Sequence, residues 1–428
     1  MKHRQQLAQK RLLGVLATAL TVVSLCHAVM PVGVERDDFI LERMRTDHVP
    51  GLSAVLVARD KIIWEQAYGW ADVDQKIPMR VDTVQNIGSI SKTITATAVM
   101  QLWEKGRFGL DDDVGRYLSF TVRNPRFPDD PITFRQLLTH KSSIKDGPAY
   151  GQSYACGDPK IRLKEWIQGY LTPGGRYYNR DDNFFDWKPG TTDIPKGAND
   201  YSNVGFGLLG YLVETISGMD FERYCKMHIF TPLGMKETGW KLADIDTRKH
   251  AVPYTYISDD FKMPEEMTLE SFLPRYGKDR QSITRGELFP HCLYGFPNYP
   301  DGLLRTNVKD LSRFLRAYMN EGTFEGQRIL KRETVQSMLS RQHYGRGLCW
   351  FPVMRNSDQI VWGHTGGDPG IATQMQFFQK EGVGVIVFFN FDSPRKGCRE
   401  IINRLSDEAV RAAGGQGESA AQPRQVLK

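Results

Sequence analysis

The sequence predicts an α/β fold: an antiparallel sheet built from both chain ends and flanked by helices, with an inserted, mostly helical lobe. Apolar strand patterns cluster near the two ends of the chain, at 52–58, 62–68, 348–354, 359–363, 373–378 and 383–390. Helix patterns fill the middle, at 162–171, 204–217, 221–229, 308–320 and 332–339. A sheet assembled from the two ends leaves the middle as a separate lobe, and a small-molecule cleft is expected between them.

Single elements agree with this architecture. The first two strand patterns are separated by Arg59-Asp60-Lys61, which is typical of a hairpin. The run 383–389 is apolar on both faces, as in a central strand. Short helices are expected over 37–46 and 400–412. The expected regions are a signal peptide or membrane anchor, a sheet domain in two parts, a helix-rich lobe and a disordered tail, over 1–28, 29–109 with 341–414, 110–340 and 415–428.

The charge distribution argues against a nucleic-acid-binding protein. The net charge is +6, but four of the 56 basic residues lie in the first eleven positions. Without them, 52 basic residues stand against 50 acidic ones, and no basic stripe remains. We therefore expect a small-molecule or peptide substrate and no nucleic acid. No Cys-x-x-Cys spacing occurs, so a zinc site is not expected. Neither metal dependence nor a cofactor is expected.

The first 28 residues have the three-part pattern of an export signal. A basic segment ending at Arg11 is followed by the apolar run 12–25 and a small residue, Ala28. Cleavage after Ala28 would place the protein in the periplasm or outside the cell. The alternative is an uncleaved anchor, because the apolar stretch 12–30 is long enough to span a bilayer. Any membrane association is expected through 12–30 only.

The chain has six cysteines, and removal of Cys26 with a signal would leave five. An odd number in an oxidising compartment leaves at least one thiol unpaired or bridged to another molecule. Cys225 lies in an amphipathic helix pattern and is predicted to be a buried thiol. Cys156 and Cys292 both lie in irregular segments of the lobe, and we predict a disulfide between them.

The first candidate for chemistry is the segment Ser89-Ile-Ser-Lys92, which opens a long apolar helix pattern. The unpaired N–H groups at a helix start favour a developing alkoxide on the serine. Lys92 returns to the same helix face one turn later, where it can exchange a proton with the hydroxyl of Ser89. The same spacing starts at Ser142 and Ser393, but neither begins a helix pattern.

The second candidate is Tyr201-Ser-Asn203, directly before a helix pattern. A lysine beside the tyrosine is expected to push it towards phenolate, which would make Tyr201 a general base. Asn203 could hold the lysine or a substrate amide. Tyr-x-Asn also begins at Tyr177 and Tyr318, so the motif alone is weak.

The third candidate is the segment from Trp362 to Gly367, between two strand patterns, which contains His364-Thr-Gly-Gly367. Successive glycines at a strand edge allow a substrate backbone to lie alongside and leave an N–H for an oxyanion. His343-Tyr-Gly345 is a similar but shorter pattern.

Each motif taken singly is better explained by a structural role, as a helix cap, a core tyrosine or a surface histidine. Their order, each at the end of a regular element, resembles the serine β-lactamase and penicillin-binding protein superfamily, in its class C β-lactamase, DD-peptidase and esterase branch. The resemblance covers about 37–412 and includes the flanking segments Leu137–Ser143, Pro189–Thr191, Thr231–Met235 and Gly302–Thr306 with Asp310.

The resemblance implies a β-lactamase/transpeptidase-like fold in which Ser89 is acylated and Lys92 and Tyr201 shuttle its proton. It also implies an oxyanion hole made by the backbone N–H groups of Ser89 and Gly367. The residues implied to line the substrate cleft are Asn203, His364, Thr365 and Gly366.

Three departures from the family pattern stand out. His364 occupies the place where β-lactamases have a lysine, which makes a dedicated antibiotic-resistance enzyme a weaker expectation. Ser143 replaces the usual glycine, and Thr192–Asp200 lengthens the loop before Tyr201.

The leading hypothesis is a serine hydrolase that cleaves an amide or ester through an acyl-enzyme. Peptides or amides with D-residues rank first as substrates, simple esters second and β-lactams third. The alternative within this class is a β-lactamase or penicillin-binding DD-peptidase. A different class is an exported protein that binds β-lactams or peptidoglycan and is acylated without turnover. The intact set of Ser89, Lys92, Tyr201 and His364 argues against an inactive homologue.

Overall fold

The computed structural model describes residues 32–196, 198–260, 284–342, 345–356, 359–392 and 396–414. Two compact units are distinguished, one ending at Glu42 and the other beginning at Arg43. The described residues of the first unit, 32–42, belong to helix α1 (Val32–Asp47). The predicted signal segment 1–28 and the predicted tail 415–428 lie outside the described residues.

The second unit contains a seven-stranded antiparallel sheet. Its strands are β1 (Gly51–Ala58), β2 (Ile62–Asp72), β3 (Ile77–Pro78), β4 (Phe351–Asn356), β5 (Gln359–Asp368), β6 (Ile371–Phe378) and β7 (Val383–Phe389). Their spatial order is β4-β5-β6-β7-β1-β2-β3. Val55 of β1 faces Ile386 of β7 on one side and Glu65 of β2 on the other. The predicted α/β fold with a sheet from both chain ends is confirmed.

The centre of the sheet lies where the sequence is most apolar. All seven residues of β7 are buried, as the apolar run predicted. Helices α5 (Val308–Met319) and α6 (Lys396–Gly414) pack against β1 and β7. The buried residues of α6 recur every three or four positions and so form one face, with Cys398, Ile401, Leu405 and Ala409 among them.

The middle of the chain is built around two buried helices, α2 (Ser91–Glu104) and α4 (Asn203–Ser217), which pack against each other. A further amphipathic helix, α3 (Leu163–Leu171), packs on α4. A Cβ atom at Gly207 would lie 1.8 Å from Asn298 Oδ1, and one at Gly210 would lie 2.4 Å from Pro300 Cγ. The small residues of α4 therefore let the 3-10 turn Tyr299–Asp301 lie directly on the helix.

The remaining elements are short. Four strand pairs are Gln85–Asn86 with Arg305–Thr306, Ala155–Cys156 with Tyr294–Gly295, Tyr254–Tyr256 with Leu288–Pro290, and Thr323–Phe324 with Gln327–Arg328. Short α-helices are Phe134–Leu138, Pro148–Gly151, Phe221–Cys225, Thr231–Leu233 and Arg332–Met338, and further 3-10 turns are Val114–Tyr117, Leu242–Asp244 and Thr247–Lys249. Within the described ranges, no helix is long and apolar enough to cross a membrane.

The described residues include one disulfide and buried free cysteines. Cys156 and Cys292 form a disulfide with a Cα–Cα distance of 5.7 Å, so the predicted bridge is confirmed. The disulfide lies next to a short strand pair, in which Ala155–Cys156 pairs with Tyr294–Gly295. Cys225 is a buried thiol at a helix end, also as predicted.

Two details differ from the sequence predictions. The helix expected over 221–229 ends at Cys225 and continues as the π-helical turn Lys226–Phe230. The histidine–glycine motif, expected between strands, lies inside β5, because β5 continues through the glycines to Asp368. The proposed boundaries of the inserted lobe remain predictions.

Candidate active site

Ser89 lies in the 3-10 turn Gly88–Ile90, which leads directly into α2. Gly88 has φ +53°, and a Cβ atom there would lie 2.8 Å from the backbone N of Gly367. A glycine is therefore required both by the backbone angle and by the close approach of β5. The turn is fixed further by Asn86, whose side-chain oxygen accepts a 2.8 Å hydrogen bond from the N–H of Gly88. The partly exposed Ser89 thus lies beside the glycines of β5.

Lys92 is completely buried in the first turn of α2, and its ammonium has three acceptors. Its Nζ lies 3.0 Å from Ser89 Oγ, 2.6 Å from Asn203 Oδ1 and 2.8 Å from the backbone carbonyl oxygen of Asp301. An ammonium has three N–H donors, so these contacts satisfy all of them. The sequence prediction that Lys92 reaches Ser89 is matched by this geometry.

The beginning of α4 brings Tyr201 and Asn203 to Lys92. The side chain of Ser202 caps the helix, and the carboxylate of Asp146 accepts hydrogen bonds from the N–H of Asn203 at 2.9 Å. A negative charge at a helix N-terminus is stabilised by the unpaired N–H groups. The centre of the Tyr201 ring lies 4.9 Å from Lys92 Nζ.

The electrostatics of this pair differ from the sequence prediction. Burial raises the pKa of Tyr201, and the nearby Lys92 and Ser89 only partly offset the rise. Burial alone would lower the pKa of Lys92, but its interactions with Tyr201 and with the carboxylate of Asp301 outweigh this effect and raise the pKa. Lys92 does push Tyr201 towards phenolate, as expected, but burial outweighs this push in the free protein. The Tyr201 hydroxyl lies close enough to Ser89 and Lys92 for both to lower its pKa, although no described residue makes a fully aligned hydrogen bond with it.

His364 of β5 is a neutral residue in the wall of the site. It is 4% exposed, and its Nδ1 lies 2.6 Å from the carbonyl oxygen of Thr365. Since a carbonyl only accepts, Nδ1 carries the proton and Nε2 is left as an acceptor, which is buried without a partner among the described residues. Burial and the charge of Lys92 lower the pKa of His364 to about 3.

The other motif residues on β5 alternate between the buried and the exposed side. Thr365 and Gly367 are exposed, whereas Gly366 is buried. A Cβ atom at Gly366 would lie 2.0 Å from the carbonyl oxygen of Ile87, so only glycine lets β5 pass this close to the turn that carries Ser89. The structure therefore brings Ser89, Lys92, Tyr201, Asn203, His364 and the two glycines together, whereas Thr365 is placed only as the residue between His364 and Gly366 on β5.

Asp301 is a site residue that the sequence reasoning missed. Its side chain is 2% exposed, and its Oδ2 lies 3.6 Å from Lys92 Nζ. The carboxylate accepts hydrogen bonds from the Tyr150 hydroxyl at 2.8 Å and from Asn298 Nδ2 at 2.9 Å. The signal was its position directly before the family-like segment Gly302–Thr306.

A second acid, Asp368, was also missed and has a similar environment. It accepts hydrogen bonds from the Tyr154 hydroxyl at 2.8 Å and from Asn86 Nδ2 at 3.3 Å. Burial raises the pKa of Asp368 to about 7. It follows Gly367 directly, which could have identified it. Tyr154 lies in a stretch that shows no periodicity, so the sequence contained no comparable signal for it.

The similar motifs elsewhere have structural roles. Ser142 lies in a loop, where its hydroxyl accepts a 3.3 Å hydrogen bond from the N–H of Ile144. The ring of Tyr177 packs against Trp166, and the Tyr318 hydroxyl lies 2.7 Å from that of Thr97 in the core. Ser393 and His343 lie outside the described residues. In the described part of the chain, no three His, Cys, Asp or Glu side chains are grouped as metal ligands.

Comparison with known protein families identifies the family to which the chain belongs. The β-lactamase family profile matches residues 36–408. The chain belongs to the β-lactamase family. Ser143 fits this membership: its φ of +59° is the left-handed conformation that favours the glycine expected there.

Two curated relatives show how far the sequence of this chain has diverged from theirs. Penicillin-binding protein 4* of Bacillus subtilis (strain 168) is 28% identical over 331 residues, which cover 73% of this chain and 62% of that protein. Protein flp of Staphylococcus aureus (strain MW2) is 21% identical, over 83% of this chain and 63% of its own length. The chain thus spans less than two thirds of the length of these curated relatives.

Among solved structures, D-amino acid amidase from Ochrobactrum anthropi SV3, complexed with D-phenylalanine, superposes with a TM-score of 0.65. It is 21% identical, and the match covers 88% of this chain and 99% of the amidase. At 21% identity, this likeness shows that the two proteins share a fold.

Proposed function

We propose that this protein is a serine hydrolase that cleaves an amide or ester bond through an acyl-enzyme on Ser89. The observation that carries the proposal is the 3.0 Å contact between Lys92 Nζ and Ser89 Oγ, in a site where Tyr201 lies against the same lysine. A serine hydroxyl is a weak nucleophile until a neighbouring group accepts its proton. Lys92 and Tyr201 are the groups placed for that task.

The proposed reaction has two halves. Ser89 Oγ bonds to the substrate carbonyl carbon while its proton passes to the Tyr201–Lys92 pair, and the N–H groups of Ser89 and Gly367 stabilise the oxyanion. The leaving amine or alcohol takes the proton as its bond to carbon breaks. A water molecule then repeats the sequence and releases the acid, restoring the proton to Ser89 Oγ.

Among substrates, we rank peptides or amides with D-residues first, simple esters second and β-lactams third. The neutral His364 supports the rank of amides and simple esters above β-lactams, because it offers no positive charge to the carboxylate that β-lactams carry. The structural likeness to a D-amino acid amidase is in keeping with the first rank. We further propose export to the periplasm or the exterior, based on the signal pattern of residues 1–28.

Substrate profiling tests the proposal directly. Turnover is measured with nitrocefin, a p-nitrophenyl ester, D-Ala-D-Ala and D-amino-acid anilides, and a fluorophosphonate probe is used for labelling. Wild type and Ser142→Ala should react equally with the probe, whereas Ser89→Ala should remain unlabelled. Equal labelling of Ser89→Ala and wild type would contradict the assignment of the nucleophile. Stoichiometric labelling by β-lactams without turnover of any substrate would support the binding-protein alternative instead.

A further inference from the structure

We propose that Asp301 is a positioning residue that keeps Lys92 an ammonium ion, so that Tyr201 rather than Lys92 takes the proton from Ser89. This inference rests on the proposed function, since it concerns how the same serine is activated. It assigns a role to a side chain that lies in none of the three sequence motifs.

Asp301 contacts Lys92 through both its backbone and its side chain. The backbone carbonyl accepts a 2.8 Å hydrogen bond from Lys92 Nζ, whereas the carboxylate lies at 3.6 Å. The two contacts have different consequences. The carbonyl positions the lysine and would remain in an Asp301→Asn variant, but the negative charge would be lost.

The carboxylate is held where it acts on Lys92. The Tyr150 hydroxyl and Asn298 Nδ2 each donate a hydrogen bond to it, and the turn that carries it lies on the small residues of α4. A buried charge pair with satisfied hydrogen bonds interacts strongly, because little water screens it. Burial raises the pKa of Asp301, but the charge of Lys92 and the hydrogen bonds from Tyr150 and Asn298 favour its ionised form. Lys92 therefore lies beside a carboxylate that is fixed in position.

The other titratable groups around Lys92 do not replace Asp301. Both oxygens of Asp146 are occupied by backbone N–H groups at the start of α4. Burial leaves the histidines and the thiol uncharged, because it lowers the pKa of each histidine and raises that of the cysteine. The groups that act electrostatically on Lys92 are Tyr201, Asp301, Asp146, His140, His364, Cys349 and Asp368.

The charge on Lys92 determines which group is the base. When the Tyr201–Lys92 pair loses one proton, the remaining proton stays either on the tyrosine or on the lysine. The carboxylate of Asp301 stabilises the form with an ammonium and a phenolate. Without it, the form with a neutral amine gains population, and Lys92 can act as the base itself.

The test compares single-turnover acylation of Ser89 across pH in wild type and Asp301→Asn. Removing a negative charge makes loss of the first proton easier, so the acidic limb of the profile should move down by about 1 to 3 pH units. The loss of rate caused by Tyr201→Phe should become at least about tenfold smaller in the Asp301→Asn background, since one pKa unit corresponds to a factor of ten.

Asp368→Asn is the matched control, because Asp368 also accepts from a tyrosine hydroxyl and an asparagine amide but makes no ion pair with Lys92 among the described contacts. In this background the penalty of Tyr201→Phe should fall clearly less than in Asp301→Asn, because Asp368 acts on Lys92 without an ion pair. An unshifted acidic limb and an unchanged Tyr201→Phe penalty in Asp301→Asn would overturn the inference. Wild-type Ser89 acylation, measured first, tests the proposed function separately.

If Asp301→Asn fails to fold, the wild-type protein still decides the matter. The ¹⁵N chemical shift of Lys92 Nζ, assigned with Lys92→Arg, reports whether the group is an ammonium or an amine. An ammonium that persists above pH 10.5, the ordinary lysine value, supports the inference. An amine that is already neutral at pH 10.5 or below contradicts it.

Discussion

The hydroxyl of Tyr154 donates a 2.8 Å hydrogen bond to Asp368, a residue 214 positions later in the chain. Tyr154 lies two residues before Cys156, whose disulfide to Cys292 ties this segment down. The disulfide thus holds one wall of the candidate site against the end of β5.

Removing the disulfide with Cys156→Ser and Cys292→Ser should lower the free energy of unfolding by about 2–5 kcal/mol, because the bridge closes a long loop. It should also raise KM, since the Tyr154–Asp368 contact loosens. Chemical denaturation and steady-state kinetics measure the two effects. A reductant should lower the Tm of the wild type and leave that of the double variant unchanged; equal sensitivity of both proteins would show that the bridge is not the cause.

Asp368 should make stability depend on pH in a defined direction. Its pKa is about 7 in the folded protein against an ordinary value of 3.8, so the folded state binds a proton that the unfolded state releases between these values. The contribution is therefore present below about pH 4 and lost as pH rises to 7. Relative to Asp368→Asn, the wild type should become less stable over this range and change little above it. Urea unfolding from pH 4 to 8 measures this difference; a constant difference would contradict the prediction.

Lys92→Ala and Tyr201→Phe should each slow acylation by about 10²–10⁴-fold, and the double variant should be little worse than either, because the two groups handle one proton. His364→Ala should instead raise KM or change substrate preference, since its ring lies in the cleft wall. Single-turnover rates for the four variants distinguish the roles. Near wild-type acylation by Tyr201→Phe, together with none by His364→Ala, would make the histidine the base.

Gly366→Ala should destabilise the protein by about 1–3 kcal/mol and suppress acylation, because its Cβ would clash with the carbonyl of Ile87 and push β5 away from the Ser89 turn. Gly367→Ala is the matched control for stability, since no atom lies within 4 Å of its Cβ position. Thermal unfolding of both variants tests this. Equal stability of Gly366→Ala and wild type would show that β5 can shift without cost.

The strands were predictable because their apolar runs are short, bounded by turn residues and close to both chain ends. The site motifs were predictable because Ser89, Tyr201 and His364 each stand at a characteristic place in a regular element. The contact of Asp301 with Lys92 was not predictable, because it depends on how the turn Tyr299–Asp301 lies on Gly207 and Gly210 of α4. The charge state of Tyr201 could not be predicted either, because burial outweighs the neighbouring lysine and burial is not visible in a local motif.

The position of β1 between β2 and β7 has a consequence for how the protein is made. Val55 is synthesised well before its partner Ile386, because more than 300 residues lie between them in the chain. Until then β1 can pair with β2 alone, and its other edge presents unpaired backbone groups to any neighbouring strand. Sheets with such distant partners fold slowly and are prone to aggregation before they close. A chaperone that covers the β1 edge during synthesis should therefore increase the yield of folded protein, whereas truncation before Val383 should yield aggregates.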